Sequence, residues 1–198
     1  MRGVFPPFLQ RDFDEEALDR DASTIAALDA DGTILWTNLA WIRFAAENGG
    51  APELISGFVQ TRYLAPVAPE LAGFYAEAFS AALETGVPFE HEYECSSAHV
   101  YRRFRLRVLP VGGAGLLLAH SLVAEHPHGE PAAPPLEARY RTEHGLIVQC
   151  AHCRRVRRTD QYTWDWVPEW VERMPSSTGH AICPACVGFY FRRRKKPG

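Results

Sequence analysis

The stretch FEHEYECSSAHVYRRFRLRV, residues 89–108, decides the fold. In its first part Phe89, His91, Tyr93 and Cys95 alternate with Glu90, Glu92 and Glu94; in its second, Phe104, Leu106 and Val108 alternate with Arg103, Arg105 and Arg107. A period of two sends successive side chains to opposite faces of a strand, so each part reads as a strand with one apolar and one charged face. A turn near residues 96–98 sets the register, with Glu94 opposite Arg103, Glu92 opposite Arg105 and Glu90 opposite Arg107. That pairing joins opposite charges on one face, and a slip of one residue would turn every apolar side chain to the wrong side. In this reading Cys95 is a buried strand thiol, inert because apolar surroundings raise a thiol's pKa.

Residues 110–113 form the next turn, and residues 115–123, more hydrophobic, suit a central strand. Upstream, residues 25–28 and 33–36 flank Asp29-Ala-Asp-Gly32 as a hairpin. Asn38 is placed to cap a helix over residues 39–47, where Trp41, Phe44 and Ala45 share a face and Asn48-Gly49-Gly50 supplies the stop. Residues 52–69, punctuated by proline and Gly57, read as short helical turns. Residues 71–85 form the clearest helix, with Leu71, Phe74, Tyr75, Ala78, Phe79, Ala82 and Leu83 at helical spacing. Residues 1–22, with Pro6-Pro7 and an acidic run, read as a tail or a short solvated helix. Strands and helices in this order predict an α+β fold, an antiparallel sheet with helices on one face.

Three segments, ALDADGTILWTNLAWIRFAAENGG, HEYECSSAHVYRRFRLRVLP and GLLLAHSLV, carry a further reading. Their DG hairpin, N-x-x-W helix and Y-x-C-x-S sheet segment resemble a subset of bacterial PAS domains, over residues 23–124. The resemblance implies a sensory domain that often holds a ligand between sheet and long helix. Trp41, Phe44, Tyr63, Phe79 and Tyr93 would line that pocket; core packing explains them equally, and the ligand is unknown. The long helix contains no histidine, which disfavours haem ligation of the kind seen in oxygen-sensing PAS proteins, and the flavin-adduct motif N-C-R-F-L-Q is absent. His91 and His120, on expected strands, read as hydrogen-bonded core histidines before haem ligands.

Residues 125–135, EHPHGEPAAPP, read as the core of a proline-rich linker spanning 125–140, and residues 141–198 as a second module. Here Cys150-Ala-His-Cys153 and Cys183-Pro-Ala-Cys186 form two CxxC pairs separated by 29 residues. Each CxxC turn brings two thiolates to one ion, and two such turns complete a tetrahedral shell, so Cys150, Cys153, Cys183 and Cys186 are expected to hold structural zinc. Rubredoxin-like iron uses the same spacing and remains an alternative. Residues 187–196 are expected to be helical, placing the second pair at a first helical turn in a zinc-ribbon or treble-clef-like module. So short a segment gains stability from a metal that its own core cannot supply. It also resembles a cysteine-rich tail found after PAS or receiver domains in bacterial signalling proteins, on CAHCRRVRR, YTWDWVPEW and HAICPAC, although Ala181 stands where that tail usually has glycine. His152 and His180 read as surface residues or as neighbours of the site, not as ligands.

Net charge is −3, but residues 1–140 carry 10 arginines against 19 acids, and residues 141–198 carry 11 basic residues against 5 acids. The polarity points to attraction between the halves or to an anionic partner. Arg154, Arg155, Arg157 and Arg158, with Arg192, Arg193 and Arg194, are the candidate anion-binding groups. Nucleic acid is therefore a second reading, less favoured than a protein partner or a second copy of the chain, and a redox or gas sensor using iron or haem is a third. Apolar runs are too short to span a bilayer, and no secretory signal is recognisable, so the expectation is a cytoplasmic protein without membrane association. No G-x-S-x-G, phosphate loop or H-E-x-x-H occurs, and four cysteines leave zinc no open position, so no enzymatic activity is expected.

Overall fold

The computed structural model describes residues 3–48 and 58–191. The chain divides into two compact units, the first made of residues 1–67, 72–93 and 104–123, the second of residues 68–71, 94–103 and 124–198. Five strands form one antiparallel sheet in the order β2-β1-β5-β4-β3: β1 Thr24–Asp29, β2 Ile34–Thr37, β3 Phe89–Glu94, β4 Val100–Val111 and β5 Gly115–Pro127. Among the described residues, helices α1 (Glu15–Arg20), α2 (Leu39–Glu47) and α3 (Pro69–Thr85) accompany this sheet. The arrangement is the α+β fold expected, an antiparallel sheet with helices packed on it.

The local causes are visible residue by residue. At the β1–β2 turn the Asp29 carboxylate accepts from Asp31 N–H (3.0 Å) and Thr33 N–H (2.8 Å), while Gly32 takes the left-handed φ of 81°. Asn38 is wholly buried and does more than cap α2. Its Oδ1 accepts from Trp41 N–H and from Ile25 N–H, both at 3.0 Å, and its amide donates to Leu18 O (3.0 Å) and Ser23 O (2.9 Å). The β3–β4 register is the expected one: Arg105 meets Glu92 at 2.8 Å, Arg107 meets Glu90 at 2.8 Å, and Cys95 N–H donates to Arg102 O. Glu94 departs from the ladder by accepting from Ser96 Oγ at 2.8 Å.

Aromatic pairs such as Phe44–Phe104 and Phe74–His91 join the helices to one face of the sheet. The other face is covered by the segment read as a solvated tail. Phe5 and Leu9 are buried among Ile25, Ala27, Trp36, Val111 and Leu117, with Phe8, Phe13 and Leu18 beside them. The segment follows β2 closely enough that Gly3 bridges Trp36, and a Cβ at Gly3 would collide with the Leu35 carbonyl. Without this cover the odd-numbered apolar residues of β1 and β5 would face water, so the tail belongs to the core.

In the second unit a four-stranded sheet has the order β8-β7-β6-β9: β6 Ile147–Cys150, β7 Val156–Arg157, β8 Trp164–Asp165 and β9 Thr178–Ala181. Strands β6 and β7 pair antiparallel, whereas β6 and β9 pair parallel, Cys150 lying opposite Ala181. Short helices α4 (Glu137–Tyr140), α5 (Pro168–Glu172) and α6 (Pro184–Tyr190) surround it. Tyr140, Ile147, Val156, Val167 and Trp170 form its apolar cluster, and Tyr140 donates to Asp165 at 2.8 Å. The stretch read as linker carries the end of β5, a bridge from Ala132 to Trp166, and α4.

Two further expectations are corrected. Strand β3 ends at Glu94, and Cys95 is exposed instead of buried, because the chain leaves the strand before its apolar face is completed. Its thiol is nevertheless held above the ordinary range, by desolvation that outweighs Arg102 and Arg154. The last helix begins at Pro184, three residues earlier than expected, because proline at the first helical position fits its fixed φ. Residues 49–57 and 192–198, where a helix stop, part of the short-turn segment, and Arg192, Arg193 and Arg194 were expected, lie outside the described residues.

Candidate metal centre

Two local structures deliver the four sulfurs. Strand β6 ends on Cys150, whose N–H donates to Arg155 O (2.8 Å) while Arg154 N–H donates to Cys150 O (3.0 Å), closing a tight turn that carries Cys153. Arg154 pays for that closure with a left-handed φ of 59°, a conformation costing a non-glycine residue about 1 kcal/mol. Cys183 is the N-cap of α6, Pro184 opens the helix, and Cys186 falls in its first turn. Parallel pairing of β6 with β9 sets the two turns side by side, and Ala151 N–H donates to Ala181 O at 2.8 Å. Ala181 is an ordinary strand residue without positive φ, so glycine is not required there.

All four cysteines are buried, and their sulfurs lie within 4.8 Å of one another. Cys153 and Cys183 are 3.7 Å apart, too far for a disulfide and close to the edge of about 3.8 Å that a tetrahedron with metal–sulfur bonds near 2.3 Å requires. The donor set therefore fits a soft or borderline tetrahedral ion. Cys183 N–H points at Cys150 Sγ (3.4 Å), and Cys150 is driven well below the ordinary thiol range, first by its hydrogen bond with Cys153 and then by those with Cys183 and Cys186. Four buried sulfurs at this spacing offer one cation a complete shell.

His152, inside the first CxxC turn, is not a member of the sulfur set. Its Nδ1 lies 3.2 Å from Cys186 Sγ, and its Nε2 accepts from Glu94 N–H at 3.0 Å. Since Nε2 is the acceptor, the ring proton sits on Nδ1 and is donated to sulfur. Phe189 stacks on the ring at 5.5 Å and Tyr190 meets it edge-on at 4.9 Å. His180 is exposed on β9.

Three of the expected anion-binding arginines are engaged within the unit. Arg154 donates to Val171 O (2.8 Å), Arg155 pairs with Glu130 (2.6 Å), and Arg158 makes two hydrogen bonds to Asp160 (2.8 and 2.6 Å). Arg157 is exposed. Spacing alone could not reveal the first two, because Val171 and Glu130 meet Arg154 and Arg155 only through folding, while Asp160 lies two residues from Arg158.

In the first unit, four of the five expected pocket aromatics gather round His120. Tyr63 hydroxyl lies 2.8 Å from its Nε2 and Tyr93 hydroxyl 2.7 Å from its Nδ1; Trp41 is edge-on to it, and Phe79 packs on Tyr63. The fifth, Phe44, packs on Phe104. Burial pushes His120 down to about 4 and raises Tyr63 above the ordinary phenol range, so a neutral imidazole bridges two neutral phenols. Both ring nitrogens are thereby engaged. A cavity of about 380 Å³ lies between the β1–β2 turn and α3, lined by Tyr63 and Phe79 with Leu64, Ala76, Leu83 and Leu116. Trp41, Phe44 and Tyr93 do not line it.

The similar solved structures include PAS domains. A domain of an HTR-like protein from Haloarcula marismortui ATCC 43049 shares 22% identity, covering 52% of this chain and 100% of that one, with a TM-score of 0.39. The PAS domain of an HTR-like protein from Haloarcula marismortui shares 21%, covering 55% and 93%, with a TM-score of 0.36. The photoactive yellow protein domain from the sensor histidine kinase Ppr from Rhodospirillum centenum shares 15%, covering 55% and 93%, with a TM-score of 0.39. No protein-family profile and no curated protein matches. Among the described residues no helix is long and apolar enough to cross a membrane.

Proposed function

We propose that the chain is a non-catalytic sensory or adaptor protein of bacterial signal transduction, in which a PAS-like unit receives a signal and a structural zinc module presents the output surface. The observation that carries the reading is the set of four buried cysteine sulfurs within 4.8 Å, on two turns that belong to the same compact unit as the β3–β4 hairpin, residues 94–103. Cys150, Cys153, Cys183 and Cys186 would hold the ion, and zinc bound by four thiolates supplies structural stability without a vacant coordination position. Reduced cysteines suit a reducing compartment, and the cytoplasm is the location proposed. The partner proposed is a protein or a second copy of the chain, a preference supported by the engagement of Arg154, Arg155 and Arg158 within their own unit.

Native mass spectrometry of the purified protein tests the reading in one spectrum. The expected result is one zinc per chain, with subunit number and any retained ligand read from the same peaks. Iron in place of zinc would transfer the site to redox chemistry, and a chain without metal would overturn the zinc module.

A further inference from the structure

The peptide N–H that His152 accepts from is the one joining Tyr93 to Glu94, and the ring's other nitrogen reaches a cysteine of the four-sulfur set. One imidazole therefore touches both the end of β3 and the candidate metal shell. Its plane is fixed by Phe189 stacked at 14° and Tyr190 set at 88°. Its tautomer is fixed because Glu94 N–H can only donate. Neither hydrogen bond belongs to a regular ladder, so without His152 the Glu94 N–H would have no β-sheet partner within this hairpin end. The residue preceding Glu94 is Tyr93, whose hydroxyl holds His120.

From this geometry we infer that His152 is a positioning residue that couples occupancy of the four-sulfur site to the order of the end of β3. The inference rests on the metal reading given above. A bound cation keeps Cys186 as a thiolate, the better acceptor for Nδ1–H, and this holds Nε2 toward Glu94. Loss of the ion frees Cys186 and the α6 turn on which His152 packs, and the Glu94 amide loses its acceptor. The hairpin has a second anchorage that does not pass through His152. Ala98 is buried with Trp166 and Val171, and His99 Nε2 lies 3.1 Å from Glu172. The two anchors allow the role of His152 to be separated from general unfolding.

The test is amide hydrogen exchange on the full chain, zinc-loaded and chelator-stripped, in wild type and in His152→Leu, which keeps bulk and removes both hydrogen bonds. Stripping zinc from wild type is expected to raise exchange at Glu94 and at residues 98–99 together. Zinc-loaded His152→Leu is expected to raise exchange at Glu94 by about tenfold, the loss of one such hydrogen bond, with residues 98–99 still protected. Its zinc affinity, measured by chelator competition, is expected to fall about 10- to 100-fold. Zinc-loaded variant protein with Glu94 as protected as wild type would overturn the coupling and leave the metal reading standing, whereas wild type that binds no metal would overturn both. Should His152→Leu fail to fold, wild type loaded with cadmium-113 decides: scalar coupling from cadmium to the Nδ1 proton is expected, and its absence in a loaded protein overturns the hydrogen bond.

Discussion

The two units of this chain achieve order by different means. The first buries both faces of a five-stranded sheet, helices on one side and the N-terminal segment on the other, around a core that includes Leu9, Leu28, Trp36, Leu106 and Leu118. The second has strands of two to four residues, helices of four to seven, and a cluster of Tyr140, Ile147, Val156, Val167 and Trp170 beside four cysteines. Apolar burial scales with the size of the core, so the first unit can be stable on side-chain packing alone, while the second is expected to need a cross-link that packing does not supply. Four thiolates on one ion would tie residues 150 and 186 together.

Metal removal is the strongest way to break the comparison. Structural zinc in small modules contributes about 10 to 16 kcal/mol of apparent binding free energy, more than such a unit holds without it. Cys183→Ser, or chelation of wild type, is therefore expected to unfold residues 141–191 while β1 and β5 keep slow amide exchange. Coincident loss of protection in both units would mean that they are not separately stable, and retention in both would mean that the second is held by packing after all.

The reciprocal perturbation strikes the first unit. Leu9 is fully buried in the segment that covers the sheet, and Leu9→Ala should cost about 4 kcal/mol in urea unfolding monitored by the amides of β1. A loss below about 1 kcal/mol would show that the segment is an accessory to the core. Zinc affinity is expected to be unchanged.

Acid separates the units by a different route. His120 is buried and neutral, with its pKa pushed down to about 4 from the ordinary 6.5 by desolvation. The unfolded chain thus binds a proton between pH 6.5 and 4 that the folded chain refuses, so the stabilising difference is complete above about pH 6.5 and is lost as pH falls toward 4. The size of the loss is about 3 kcal/mol, at about 1.4 kcal/mol per pH unit. Zinc release also follows acidification, so the measurement must come from amides of β1 and β5, compared between wild type and His120→Phe. A flatter acid limb in the variant is expected; identical limbs would place the acid sensitivity elsewhere.

The unequal legibility of the two units has physical reasons. Alternation in residues 89–94 and 100–108, the Asn38 cap and the two CxxC pairs are local patterns, and each survives folding because one element or one ion reads it. The N-terminal segment was illegible as core because Pro6 and Pro7 interrupt the helical spacing of Phe5, Phe8, Leu9 and Phe13, and burial comes from a sheet formed by distant residues. The arginines after Cys153 resembled an open basic patch because the partners of Arg154 and Arg155, the Val171 carbonyl and Glu130, are set by tertiary contacts, whereas Asp160 lies only two residues from Arg158. Cys95 continued the strand period by sequence, yet β3 stopped one residue earlier where Glu94 turned its amide to His152 and its carboxylate to Ser96. Periodicity identifies elements; what ends an element is often a side chain from elsewhere.

The smallest effect expected tests whether the charged face of β3 and β4 supplies stability or register. Arg105 meets Glu92 and Glu90, and Arg107 meets Glu90, on a surface that water and salt reach. Exposed pairs of this kind gain little from attraction, because screening and side-chain ordering offset most of it. Replacing Glu92 with Gln should therefore shift the unfolding midpoint of the first unit only slightly, and added salt should reduce the shift further. Glu92→Arg sets like charges across the strands and should cost more, and the double variant Glu92→Arg, Arg105→Glu should recover most of that loss if the two side chains remain opposite each other. Recovery would show that the ladder selects the pairing while the apolar face, with Phe104, Leu106 and Val108, holds it. If the double variant stays as weak as the single one, the register is fixed by the apolar face and by the hairpin turn, and the alternating charges that make the strands so readable in sequence contribute solubility instead of specificity.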